Sequence, residues 1–131
     1  MKNFKMKAWL KKEKKMVNII GIDFSYEYIK YTEDNNLFNE NYKTAEFKNA
    51  ELLQYIGMKD KNNKEVYEGD ILKLRDNHGI KLVKYHDEWS AFIVESQKDT
   101  SVGVLGLYFD KEDFEIIGNA YENSELLGEK E

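Results

Sequence analysis

Apolar and polar residues alternate from Phe4 to Leu10, with Phe4, Met6, Ala8 and Leu10 on one side and lysines plus Trp9 on the other. A period of two belongs to an extended strand, whose successive side chains point to opposite faces. Lys11 to Lys15 is a charged turn, and Met16 to Phe24 reads as a second strand rich in β-branched residues. Gly21 within it predicts a bulge or a close backbone approach. Tyr26 to Thr32 reads as a short third strand, and most of the asparagine-rich stretch Asn35 to Asn49 as a surface loop.

The second half carries more punctuation. Leu52 to Met58 is short and apolar, and Asp60-Lys61-Asn62-Asn63-Lys64 then supplies turn residues, asparagine being tolerant of left-handed backbone angles. Glu68-Gly69-Asp70 is another turn, and Ile71 to Arg75 leaves it as a strand. Asp76-Asn77-His78-Gly79 closes a hairpin into Ile80 to Tyr85. Further strands are predicted over Trp89 to Val94, Val102 to Phe109 and Phe114 to Asn119, with one helical turn over Ser124 to Leu127 capped by Ser124. Short strands at close spacing, divided by turn signals, predict a mainly β fold. We expect a small barrel-like or sandwich-like core with one or two short accessory helices, built as a single domain over residues 1–131. Some strands are mixed on both faces: Trp89, Ala91 and Ile93 oppose Ser90, Phe92 and Val94. Burying both faces requires a cover, whether a helix, the N-terminal segment or a second subunit.

Composition narrows the classes. With 131 residues, 41% apolar and 14% aromatic, the chain is long and apolar enough for a packed core. It lacks cysteine, which removes disulfides and thiolate metal sites. No apolar run is long enough for a membrane helix, and lysines continue through Lys11, Lys12, Lys14 and Lys15 where the apolar core of a signal peptide would lie. The expected location is therefore the cytoplasm. A net charge of −5 and a single arginine, Arg75, argue against a duplex-DNA binder driven by phosphate neutralisation. The charge is polarised: residues 1–16 carry seven lysines against Glu13, and residues 110–131 carry eight acids against Lys111 and Lys130. Ends of opposite sign can pair within a chain or between chains.

Candidate chemistry is sparse. His78 and His86 are the only imidazoles, and with an extended segment between them they stand about 26 Å apart, too far to share a metal ion. Ser90 lies four residues after His86, a spacing that does not join side chains on a strand, and no nucleophile-elbow pattern exists. Glu65, Glu68 and Asp70 cluster around Tyr67, and a close pair among them could serve as acid and base, but Asp70 reads better as a turn cap bonded to backbone amides. No phosphate-binding glycine loop occurs, and no cofactor is expected. Lys5 and Lys7 flank Trp9 on one strand face, the arrangement by which β-barrels bind single-stranded nucleic acid. These three are candidate nucleic-acid or partner contacts. Trp89, Phe92 and Tyr121 are candidate core or subunit contacts.

The run Leu53-Gln54-Tyr55-Ile56-Gly57-Met58-Lys59-Asp60-Lys61-Asn62-Asn63-Lys64-Glu65-Val66-Tyr67-Glu68-Gly69-Asp70-Ile71-Leu72 resembles the QYTGLKDKNGKEIYEGDIV signature of the YopX family of phage and prophage proteins. Phe114 to Leu127 resembles that family's closing EVIGNIYENPELL element, and Phe4-Lys5-Met6-Lys7-Ala8-Trp9 stands where the family has a KFRAW-like strand. Asn63 replaces the usual turn glycine, Lys7 a common arginine, and Ser124 a proline. The resemblance implies a phage or prophage origin, a barrel-like β core with an accessory helix, and homo-oligomers. It implies no biochemical activity. The expectation is thus a non-enzymatic accessory protein that binds a host or phage macromolecule, with single-stranded nucleic-acid binding as the alternative.

Overall fold

The computed structural model describes residues 5–33, 41–75, 79–96, 102–104 and 110–128. The fold is mainly β, in two antiparallel sheets, and the chain divides into two compact units, Met1–Gln54 and Tyr55–Glu131. In the first unit, β1 (Met6–Leu10), β2 (Lys15–Asp23), β3 (Tyr28–Thr32) and β4 (Lys43–Glu46) form an antiparallel meander. The start of β5 (Ala50–Lys59) pairs with the free side of β1, giving the order β4-β3-β2-β1-β5. Alternation along these strands sends Ala8, Leu10, Val17, Ile29, Tyr31 and Ala50 into one cluster. The register passes from Ile19↔Tyr31 to Gly21↔Lys30, so one extra residue sits beside Gly21, the bulge that glycine predicted.

The second unit contains the rest of β5, β6 (Glu65–Tyr67), β7 (Asp70–Leu74), β8 (Ile80–His86), β9 (Ala91–Ser96), β10 (Val102–Val104) and β11 (Phe114–Asn119). Its five-stranded sheet runs β10-β9-β8-β7-β11, and β6 pairs with β5. The core joins Val66, Leu72, Leu74, Val83, Val94 and Phe114. Ile71 and Ile93, which the register puts on the other face of the same sheet, are also buried. The chain therefore covers both faces at these positions by itself, with no need there of a second subunit. The short helical turn Ser124–Leu127 lies against β8.

Several expectations change. The predicted loop Asn35 to Asn49 contains β4 and a 3-10 turn, Phe47–Asn49, because Lys43 to Glu46 finds a partner in β3 that only tertiary structure supplies. Positions 35–40 lie outside the described residues, as do Phe4, positions 76–78 with His78, positions 105–109 and the tail 129–131. Trp89 and Ser90 do not begin a strand. They close the β8–β9 turn, where Ser90 takes φ 48° and its amide donates to the Asp87 carbonyl. Ser124 is not the cap of the last helical turn: Asn123 precedes that turn, and no side chain caps it. The helices among the described residues are short 3-10 turns.

Candidate functional site

The signature segment folds as two turns around β6. Asp60 is fully buried at the β5–β6 turn. Its Oδ1 accepts the amides of Asn62 and Lys64, each at 2.9 Å, and its Oδ2 accepts the Ile116 amide of β11 at 2.9 Å. The Lys61 amide donates to the Phe114 carbonyl at 3.1 Å, so the turn lies along the edge of β11 and occupies two of its backbone groups, the Phe114 carbonyl and the Ile116 amide. Burial is the largest influence on the Asp60 carboxyl and opposes ionisation. The amides of Ile116, Lys64 and Asn62, with the Lys64 charge, together outweigh it and hold the group below the ordinary aspartate range. Asn63 sits at φ 66°, the left-handed geometry that suits asparagine or glycine.

The second turn engages its acids in the same way. Asp70 Oδ2 accepts the Tyr67 amide at 2.8 Å, the turn-capping role expected for it. The Tyr67 hydroxyl donates to Glu65 Oε1 at 3.3 Å, and burial, followed by the charge and hydrogen bond of Glu65, raises the phenol well above its usual range. A tyrosine held so high is a poor proton donor at neutral pH. Gly69, at φ 87°, donates its amide to Val83 and accepts the Ala120 amide at 2.8 Å.

The closing element docks here. Asn119 Oδ1 accepts the amides of Tyr121 and Glu122, and Asn123 Oδ1 accepts that of Asn119. This folds Tyr121 over the glycine, where a Cβ on Gly69 would stand 2.8 Å from Tyr121 Cε2. Tyr121 is thus a packing residue of the second unit. No residue pattern announced this contact, because the two segments are far apart in the chain.

The remaining candidates disperse. Lys7 and Trp9 share the β1 face opposite Ala8 and Leu10, both half-buried, and Lys5 is exposed just before the strand. Trp9 stands opposite Met16 on β2 and Glu51 on β5. The register puts Lys30 on the same sheet face, and its Nζ lies 4.9 Å from the Tyr42 ring centroid, two residues the pattern along the chain did not point to. Trp89 is 52% exposed and Tyr85 45%. The Trp89 ring stacks on His86 at 4.4 Å, and its amide donates to His86 Nδ1, so that nitrogen serves the turn and not Ser90. Phe92 is half-buried and meets Tyr85 edge-on at 5.3 Å. A shallow polar cleft at Lys61, Lys73 and Arg75 has much of its charge paired locally, with Arg75 2.7 Å from Asp113 and Lys61 3.8 Å from Glu115. Among the described residues, no group of three or more histidines and carboxylates could hold a metal ion.

The YopX protein family matches residues 5–128. The chain belongs to the YopX family. No curated protein matches it. Among solved structures it is similar to protein EF1440 from Enterococcus faecalis, at 25% identity and a TM-score of 0.62, covering 97% of this chain and 99% of that one. Of the three segments that resemble the family's elements, the middle and closing ones build the Asp60 and Gly69 turns and dock on each other through Tyr121. No described helix is long and apolar enough to cross a membrane.

Proposed function

We propose that this YopX-family chain is a non-enzymatic accessory protein of a phage or prophage, acting in the host cytoplasm as a homo-oligomeric binding module. One observation carries the reading. Of the acid–base candidates in the signature, Asp70 accepts a backbone amide and Glu65 the Tyr67 hydroxyl, and the buried Asp60 beside them is likewise engaged by three backbone amides. A signature engaged this way specifies a scaffold, and a scaffold acts by what it presents at its surface. Exposed aromatic side chains, here Trp89 on the β8–β9 turn and Tyr85 near the end of β8, are the groups that anchor protein contacts. The test is absolute molar mass by size-exclusion chromatography with light scattering. We expect a discrete multiple of 15.5 kDa; a monomer at every concentration rejects the assembly.

A second reading, single-stranded nucleic-acid binding, rests on the shared sheet face of Lys7, Trp9 and Lys30 with the Tyr42 ring beneath the Lys30 ammonium. It predicts oligonucleotide quenching of tryptophan fluorescence at low salt that fades as salt rises. Unchanged fluorescence at low salt excludes it.

A further inference from the structure

The exposed charges of the two units are of opposite sign at two particular turns. At the β8–β9 turn, Asp87 and Glu88 are exposed and have no ion-pair partner among the described residues, and they lie between Tyr85 and Trp89 in the chain. Burying aromatic surface as large as Trp89 and Tyr85 present is worth more than any single polar contact at the rim. At the β1–β2 turn the chain reads Lys11-Lys12-Glu13-Lys14-Lys15, all exposed. Lys11 is 3.7 Å from Glu51 and Lys15 is 3.2 Å from Glu33, whereas Lys12 and Lys14 have no ion-pair partner among the described residues. Immediately beside this turn, Trp9 and Met16 face each other across β1 and β2, both half-buried.

We infer that the β8–β9 turn of one copy docks on the β1–β2 turn of another. Trp89 and Tyr85 pack toward the Trp9–Met16 pair, and Asp87 and Glu88 meet Lys12 and Lys14. The two sides fit in three respects. An aromatic prong meets an apolar patch, an acidic pair meets a basic pair, and lysine ammonium groups near aromatic faces add cation–π attraction. The charges that would meet are those the chain itself leaves without ion pairs, so no internal salt bridge must break. The occupant is a second copy because this chain carries both halves of the contact. This inference rests on the homo-oligomer reading above and adds which surfaces make the oligomer.

Charge reversal tests it. The D87K/E88K variant has two basic turns and the K12E/K14E variant has two acidic ones, so each alone should assemble at least tenfold more weakly than the native chain. Mixing the two restores attraction at both kinds of contact, and light scattering should report a mixed oligomer of native mass. W89A should weaken assembly about 30-fold or more, with the backbone (far-ultraviolet) circular dichroism retained because the side chain is half-exposed on a turn. A native chain that is monomeric at every concentration removes the homo-oligomer reading itself. A native oligomer that all three variants leave intact overturns this interface alone, and so does a mixture that fails to reassemble from two weakened variants.

Discussion

Asp60→Ala is expected to lose about 3–5 kcal/mol of folding stability in urea or thermal unfolding, enough to leave a domain of this size marginal. The carboxylate is fully buried and accepts three backbone amides, from Asn62, Lys64 and Ile116. Alanine leaves those donors without a partner where water does not easily replace it, and an unmet buried donor costs about 1–3 kcal/mol. Two of the amides belong to the β5–β6 turn and the third to β11, so the loss also detaches the turn from the strand edge it covers. Asp60→Asn separates charge from shape: it keeps an acceptor toward two amides but turns an NH₂ group toward the third donor, and should cost roughly 2–3 kcal/mol. The pH dependence has a definite sign. Because the folded-state pKa lies below the ordinary aspartate value, the carboxylate's contribution is complete above about pH 4. It disappears as pH falls through the lowered folded value. The native protein should therefore lose stability on acidification below about pH 4 more steeply than Asp60→Asn, measured by urea midpoints across that range. Parallel curves for the two proteins would show that Asp60 is not the titrating clamp.

Gly69→Ala is expected to cost about 2–4 kcal/mol, from two separable sources. An alanine at φ 87° is strained by about 1–2 kcal/mol whatever surrounds it. In addition, its Cβ would come within 2.8 Å of Tyr121 Cε2, so the ring must move off the turn it covers. Tyr121→Ala removes the ring and should itself cost about 2–3 kcal/mol through lost burial. In the Tyr121→Ala background, Gly69→Ala should cost only its backbone part, so a double-mutant cycle should return a coupling of roughly 1 kcal/mol or more. Additive costs would mean that ring and glycine do not depend on each other. The cycle bears on the family signature directly, because it joins the glycine of one marked segment to the tyrosine of another.

The two turns also indicate how far this fold is written locally. The Asp60 turn was legible because Asn62 and Asn63 are turn formers in their own right, and because aspartate two residues before an amide caps it from short range. The same local logic gave the capping role of Asp70, the bulge beside Gly21 and most strand positions. The β4 strand was not legible. Lys43-Thr44-Ala45-Glu46 has little apolar content, and its strand character comes from β3 beside it. Strand β6 was missed for a similar reason: three residues between two turns carry no periodicity, yet Val66 and Tyr67 are buried by what packs over them. Trp89 misled in the opposite direction. Its alternation with Ala91 and Ile93 suggested a strand face, but the hairpin closes with Ser90 at positive φ, which turns Trp89 into the loop and out to solvent.

The sequence by itself determined the fold class, the family, the turn chemistry and the absence of cysteine, because each depends on residue type or on neighbours a few positions away. Alternation of period two fixes which residues of a strand share a face, and turn residues fix where the strands end. Tertiary structure alone decided which strands are neighbours, that Ile71 and Ile93 are buried along with the opposite face of their sheet, and that Tyr121 closes over Gly69. It also decided that the Asp60 carboxylate reaches Ile116, 56 residues away. Those outcomes depend on contacts between distant segments, whose loop-closure cost and packing complementarity are properties of the whole chain. No local pattern encodes them.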